Sequence, residues 1–132
     1  MSQFNRVVKF NSEILGIAPR EKGLQSKDEL HLSIRQLSEE VNEFVVANIS
    51  TDYIGAIDAL LDLKIFTDGI LYKLGLTNEE VDACHKAIMD CNMAKKIGVK
   101  KGREGFNSAD AIKPDDWKGP EDRIAEIIGG IK

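Results

Sequence analysis

Apolar side chains recur three and four residues apart through most of this chain, the spacing of amphipathic helices. Phe4, Val7, Val8, Asn11, Ile14 and Leu15 share one helical face, with Ser2 placed to cap it. A loop carrying Pro19 and Gly23 follows. Ser26-x-x-Glu29 is a capping box and opens a second helix, running to about Asn48. Leu30, Ile34, Leu37, Val41, Phe44 and Val45 form its apolar stripe, which is expected to be buried. A third helix runs from about Thr51 to Leu74 and stops at Gly75. It is apolar nearly all round, which predicts the central and most buried helix. Thr77-x-x-Glu80 is a second capping box, with Leu76 and Val81 spaced as a hydrophobic staple. The fourth helix turns Val81, Cys84, Ile88 and Cys91 inward and fades near Gly98. Gly102, Gly105, Pro114 and Gly119 then break regular structure, with Lys100, Lys101 and Arg103 clustered early. Pro120 starts a short last helix that ends at Gly129. No period-two strand is visible. The pattern predicts an all-α fold: a four-helix bundle with an irregular C-terminal arm and a short final helix, one domain over 1–132.

Composition adds boundaries. The chain has 132 residues, 42% hydrophobic and 30% charged, ordinary for one globular domain with a real core. Its net charge of −4 gives no expectation of nucleic-acid binding. No apolar run approaches the roughly 20 residues that span a bilayer, and the first residues lack a signal-peptide core. Cys84 and Cys91 lie one heptad apart on one helix, roughly 10 Å apart at its rise per residue. That is too far for a disulfide. They read as reduced thiols, and the expected location is cytoplasmic.

The acidic residues carry the chemistry. Glu39, Glu40 and Glu43 fall on the second helix, and Asp58 and Asp62 on the third, inside Ile54-Gly-Ala-Ile-Asp-Ala-Leu-Leu-Asp-Leu63. Gln36, Glu40 and Glu43 share a row, Glu39 stands one turn from Glu43, and Asp58 and Asp62 share a face. Gly55 and Gly69 lie on that strip and leave room for close approach. Carboxylates among apolar side chains are costly unless paired or bound to a cation. Lys64 is the only basic residue between Glu39 and Asp62 or within a turn beyond. An all-oxygen set suits Mg²⁺, with Mn²⁺ possible. The bland reading of the first cluster is a solvated acidic face. A di-iron carboxylate bundle wants Glu-x-x-His on two helices, and Asp82-x-x-His85 is a single, polar-side copy. His31 and His85 read as surface or capping residues.

Asn92 and Lys95 stand three apart where the fourth helix ends, followed by Lys96. They read equally as charges complementing the helix dipole or as a phosphate clamp. Trp117, the only tryptophan, either stacks on a base or pins the irregular arm.

Taken together, these motifs resemble the all-α nucleoside triphosphate pyrophosphohydrolase superfamily, which includes MazG, dimeric dUTPase and phosphoribosyl-ATP pyrophosphohydrolase. Leu37-Ser-Glu-Glu-Val-Asn-Glu-Phe44 resembles the family's Glu-Glu-x-x-Glu motif. Asp58-Ala-Leu-Leu-Asp62 resembles its second acidic motif, and Cys91-Asn-Met-Ala-Lys95 its Ser-Asn-Met-Ser-Lys element. Asp110 to Trp117 with Gly119-Pro120 resembles the tail of its small single-domain branch. The likeness covers roughly residues 26–128. MazG proper has Glu-x-x-Asp as second motif where this chain has Asp-x-x-x-Asp, and Cys91 stands in place of a serine.

The resemblance implies a MazG-like enzyme that cleaves a nucleotide between the α and β phosphates and releases pyrophosphate. It implies Glu40, Glu43, Asp58 and Asp62 as ligands of Mg²⁺, Glu39 as the residue that orients water or takes its proton, and Asn92, Lys95 and Lys96 on the substrate phosphates. It also implies a homodimer or homotetramer. The alternative is a helical, oligomeric interaction module whose acids are structural.

Overall fold

The computed structural model describes residues 1–98 and 110–129. The basic cluster Lys100, Lys101 and Arg103 lies outside the described residues. The chain divides into two compact units, 1–78 and 79–132. It is mostly helical, as expected.

In the first unit, α1 (Gln3–Lys9) is capped by Ser2, whose hydroxyl accepts from Asn5 N. The helix widens into a π turn over Phe10–Ile14. That wider turn brings Asn11 inward, where it is 6% exposed and donates from Nδ2 to the Val7 carbonyl. A loop leads to α2 (Lys27–Ile49), where the Ser26 hydroxyl accepts from Glu29 N. The Glu29 carboxylate takes a two-pronged bond from Arg20, both arms at 2.6 Å. This holds the loop against the first turn of α2.

α2 ends in a Schellman motif. Asp52 N donates to the Ala47 carbonyl and Thr51 N to that of Asn48. The left-handed position falls on Thr51, at φ +54°, where a β-branched residue is strained. The next residue, Asp52, already caps α3 (Tyr53–Lys73), its side chain accepting from Gly55 N. Two long helices thus reverse direction within residues 50–52 and pack side by side as a hairpin, with α1 against α3. Gly75, at φ +91°, ends α3 as the sequence predicts.

The burial expectations need correction. Leu30, Ile34, Val41 and Val45 are exposed, and Leu37 and Phe44 only half-buried. The buried row of α2 is Ser33, Glu40 and Ala47, at seven-residue spacing. Nor is α3 the most buried helix: Tyr53, Ile54, Ile57, Leu60, Leu61 and Ile65 are all exposed, Ile54 by 80%. Its buried positions are Ala59, Gly69 and Tyr72. Two helices that meet over small residues leave their larger apolar side chains facing outward.

In the second unit, α4 (Asn78–Met93) begins one residue after Thr77, as predicted, and buries Cys84. Both cysteines are free thiols. The helix ends at Met93, earlier than expected. β1 (Lys96–Gly98) pairs antiparallel with β2 (Asp110–Ile112), with Lys96 opposite Ile112 and Gly98 opposite Asp110. This two-stranded sheet corrects the strand-free expectation. Three-residue strands are too short to show a period of two. α5 (Glu121–Ile127) follows Pro120, and Gly129 closes it at φ +83°.

Candidate metal and phosphate site

The hairpin decides which acids meet. Positions equidistant from Thr51 face each other across α2 and α3. Glu40 and Asp62 are each eleven residues from it, and Glu43 and Asp58 eight and seven. The spacing that put three carboxylates on α2 and two on α3 therefore brings both rows to one level of the hairpin.

Glu40 is the centre of this set. It is 9% exposed, and its Oε2 is buried without a hydrogen-bond partner. Burial pushes its carboxyl above the usual glutamate value. A hydrogen bond and repulsion from Glu43 add to this, then repulsion from Asp62 and Asp58. Two carboxyl groups in hydrogen-bond contact must share a proton or a cation. The electrostatic reach of Glu43, Asp62 and Asp58 on one buried group places all four acids in one neighbourhood.

The aspartates correct the sequence reading. Asp58 is exposed and Asp62 half-buried, so neither is the deeply buried charge expected from its apolar neighbours. Glu39 and Glu43 are exposed. Among the described residues, no three His, Cys, Asp or Glu side chains stand in ligating geometry around one point. The donor set still fits a hard divalent cation: it is all oxygen, and one oxygen is buried and unbonded. Glu43 and Asp58 beside it are exposed.

A cavity of ≈380 Å³ adjoins Glu43 and Asp58 at the turn end of the hairpin, walled by Asn42, Ser50 and Asp52 over Val46, Ala47 and Gly55. The sequence reading missed these three polar residues. Their one signal was position, since they flank the reversal between two long helices. Gly69, grouped with Gly55 by spacing, instead packs on Asn11.

The predicted phosphate contacts belong to the second unit. Asn92 lies in the last turn of α4, and Lys95 just beyond it, with Lys95 N donating to the Asn92 carbonyl at 3.1 Å. Lys96 is not a helical residue; it is exposed on β1. The Lys95 ammonium stands 5.2 Å from the centre of the Trp117 ring, and that of Lys113 4.8 Å. Trp117 Nε1 donates to the Cys91 carbonyl at 2.7 Å. Trp117 therefore pins the arm to the end of α4. His31, Asp82 and His85 are exposed.

No helix among the described residues is long and apolar enough to cross a membrane. Comparison of the chain with protein-family models and with curated proteins returns no match.

Proposed function

We propose that this protein is a Mg²⁺-dependent nucleoside triphosphate pyrophosphohydrolase of MazG-like four-helix architecture. It would cleave between the α and β phosphates to give the monophosphate and pyrophosphate. One observation carries the reading: Glu40 is buried with a bare Oε2, next to Glu43 and within electrostatic reach of Asp58 and Asp62. Such a group is costly in a metal-free fold and is satisfied by a cation.

Glu40, Glu43, Asp58 and Asp62 would hold the ion. When bound, it would neutralise the polyphosphate and the charge that grows on the leaving pyrophosphate. Glu39 is exposed one turn from Glu43, where it would orient the attacking water or accept its proton. Asn92, Lys95 and Lys96 would position the phosphates, Asn92 through its amide and the lysines as charges. The exposed apolar side chains of α2 and α3 favour assembly as a homodimer or homotetramer.

Those same faces support the second reading, an inactive helical interaction module. Pyrophosphate release from a nucleotide panel, with Mg²⁺ and with EDTA, separates the two. Turnover that needs Mg²⁺ supports the enzyme. No release from any nucleotide, with an intact fold, sinks it.

A further inference from the structure

We infer that the cavity beside Glu43 and Asp58 receives the sugar of the nucleotide and that Asn42, Ser50 and Asp52 bind its hydroxyl groups; this rests on the function proposed above. The first argument is connectivity. The group covalently next to an α-phosphate held at Glu43 and Asp58 is the sugar, and the ≈380 Å³ cavity begins at those two residues. That volume lies in the range of small-molecule sites, about 300–1,000 Å³.

Charge is the second argument. Glu43, Asp52 and Asp58 line the cavity, and among the described residues no Lys, Arg or His does. Away from the cation that would hold the phosphate, such walls disfavour a further anionic group and favour an uncharged group rich in hydrogen-bond donors. A sugar with free hydroxyls is that group.

The third argument is the supply of acceptors. One oxygen of Asp52 accepts from Gly55 N at 2.9 Å, which fixes the carboxylate and leaves its second oxygen. The side chains of Asn42 and Ser50 make no hydrogen bond among the described residues. Gly55 has no Cβ because one would stand 2.3 Å from Asp52 Oδ2. Any larger residue would displace the carboxylate from this wall.

The test uses ribo-, 2′-deoxy- and 2′,3′-dideoxynucleoside triphosphates of the four common bases with Mg²⁺. The corresponding monophosphates are titrated by calorimetry. For the base turned over fastest, kcat/KM should fall by about tenfold or more from the ribo to the dideoxy compound, and monophosphate affinity should fall in parallel. Asn42→Ala and Ser50→Ala should each flatten both series while the Mg²⁺-induced rise in melting temperature persists. A flat series in the wild type, or a steep one unchanged in both variants, overturns this inference and leaves the proposed function standing if Mg²⁺ binding and hydrolysis persist. No hydrolysis of any nucleotide and no Mg²⁺ effect would overturn both.

Discussion

The side-chain amide of Asn11 lies 3.3 Å from the point where a Cβ on Gly69 would stand. The same nitrogen is held by the Val7 carbonyl at 2.9 Å. The π turn of α1 and the glycine of α3 are therefore one device: the turn delivers a buried amide, and the glycine makes room for it. In a helix interior, Gly→Ala ordinarily stabilises by about 1 kcal/mol. Here Asn11 is buried and tethered, and overpacking costs roughly 1–3 kcal/mol. Gly69→Ala should lower stability in urea unfolding. In an Asn11→Ala background the same change should become neutral or stabilising. A wild-type background in which Gly69→Ala raises stability would break the proposed coupling.

Thr51 offers the opposite case. Its φ of +54° costs a non-glycine residue roughly 1–2 kcal/mol, and glycine's greater freedom when unfolded takes back roughly 0.5–1. Thr51→Gly should raise the unfolding free energy by about 0.5–1 kcal/mol, seen as a higher urea midpoint with the slope unchanged. An unchanged or lower midpoint would show that the Thr51 side chain compensates for its backbone.

Local signals were legible in the sequence because they act over a few residues. The caps at Ser2 and Ser26, the stop at Gly75 and the last helix between Pro120 and Gly129 all stand where they were read. Burial was not legible, because an amphipathic pattern does not say what covers the apolar stripe. Leu30, Ile34, Val41 and Val45 read as core and are exposed. The acidic rows followed from spacing alone, yet the deep acid is Glu40, flanked at heptad spacing by Ser33 and Ala47. The apolar run around Asp58 and Asp62 pointed to the wrong helix because Ile57, Leu60 and Leu61 are exposed rather than core.

Divalent metal should stabilise the fold. An ion that binds only the native state adds about 2.7 kcal/mol at a hundredfold excess over its dissociation constant. Melting temperature should be higher in millimolar Mg²⁺ than in EDTA. Glu40→Gln should raise the midpoint in EDTA, because it removes a desolvated charge, and should erase the Mg²⁺ response. Asp62→Asn should abolish turnover and leave the helical circular dichroism intact. Identical melts in Mg²⁺ and EDTA would remove the metal site from this hairpin.

The metal-free protein should carry an inverted pH signature. The Glu40 carboxyl is held above its ordinary value of 4.5, so the folded state binds a proton more tightly than the unfolded state. Stability in EDTA should therefore fall as pH rises from 4.5 through the raised value, and recover as pH returns. Glu29 has the opposite sign. The hydrogen bond from Arg20 lowers its value below 4.5, so its contribution is present above 4.5 and fades under more acidic conditions. Urea midpoints across this range, for wild type and Glu40→Gln, should differ most at neutral pH and converge near 4.5. Parallel curves would mean that Glu40 is solvated.

Lys95 has two possible partners, and they predict different losses. Its ammonium lies over the Trp117 ring at 5.2 Å, a contact worth about 0.5–1 kcal/mol at a half-exposed site. A phosphate contact is charge-assisted and worth roughly 1.5–3 kcal/mol, or about ten- to a hundredfold in kcat/KM. Lys113 is the internal control, because it holds the same ring at 4.8 Å and has no assigned phosphate. If Lys95 serves only the ring, Lys95→Ala and Lys113→Ala should each cost a little stability and no activity. If it serves the phosphates, Lys95→Ala alone should lower kcat/KM by about tenfold or more, with a similar small loss of stability in both. The second outcome is expected. Steady-state kinetics on the best nucleotide, paired with urea melts of both variants, decides it. Equal kcat/KM in the two would leave Lys95 as a brace for Trp117 and move the phosphate contact elsewhere.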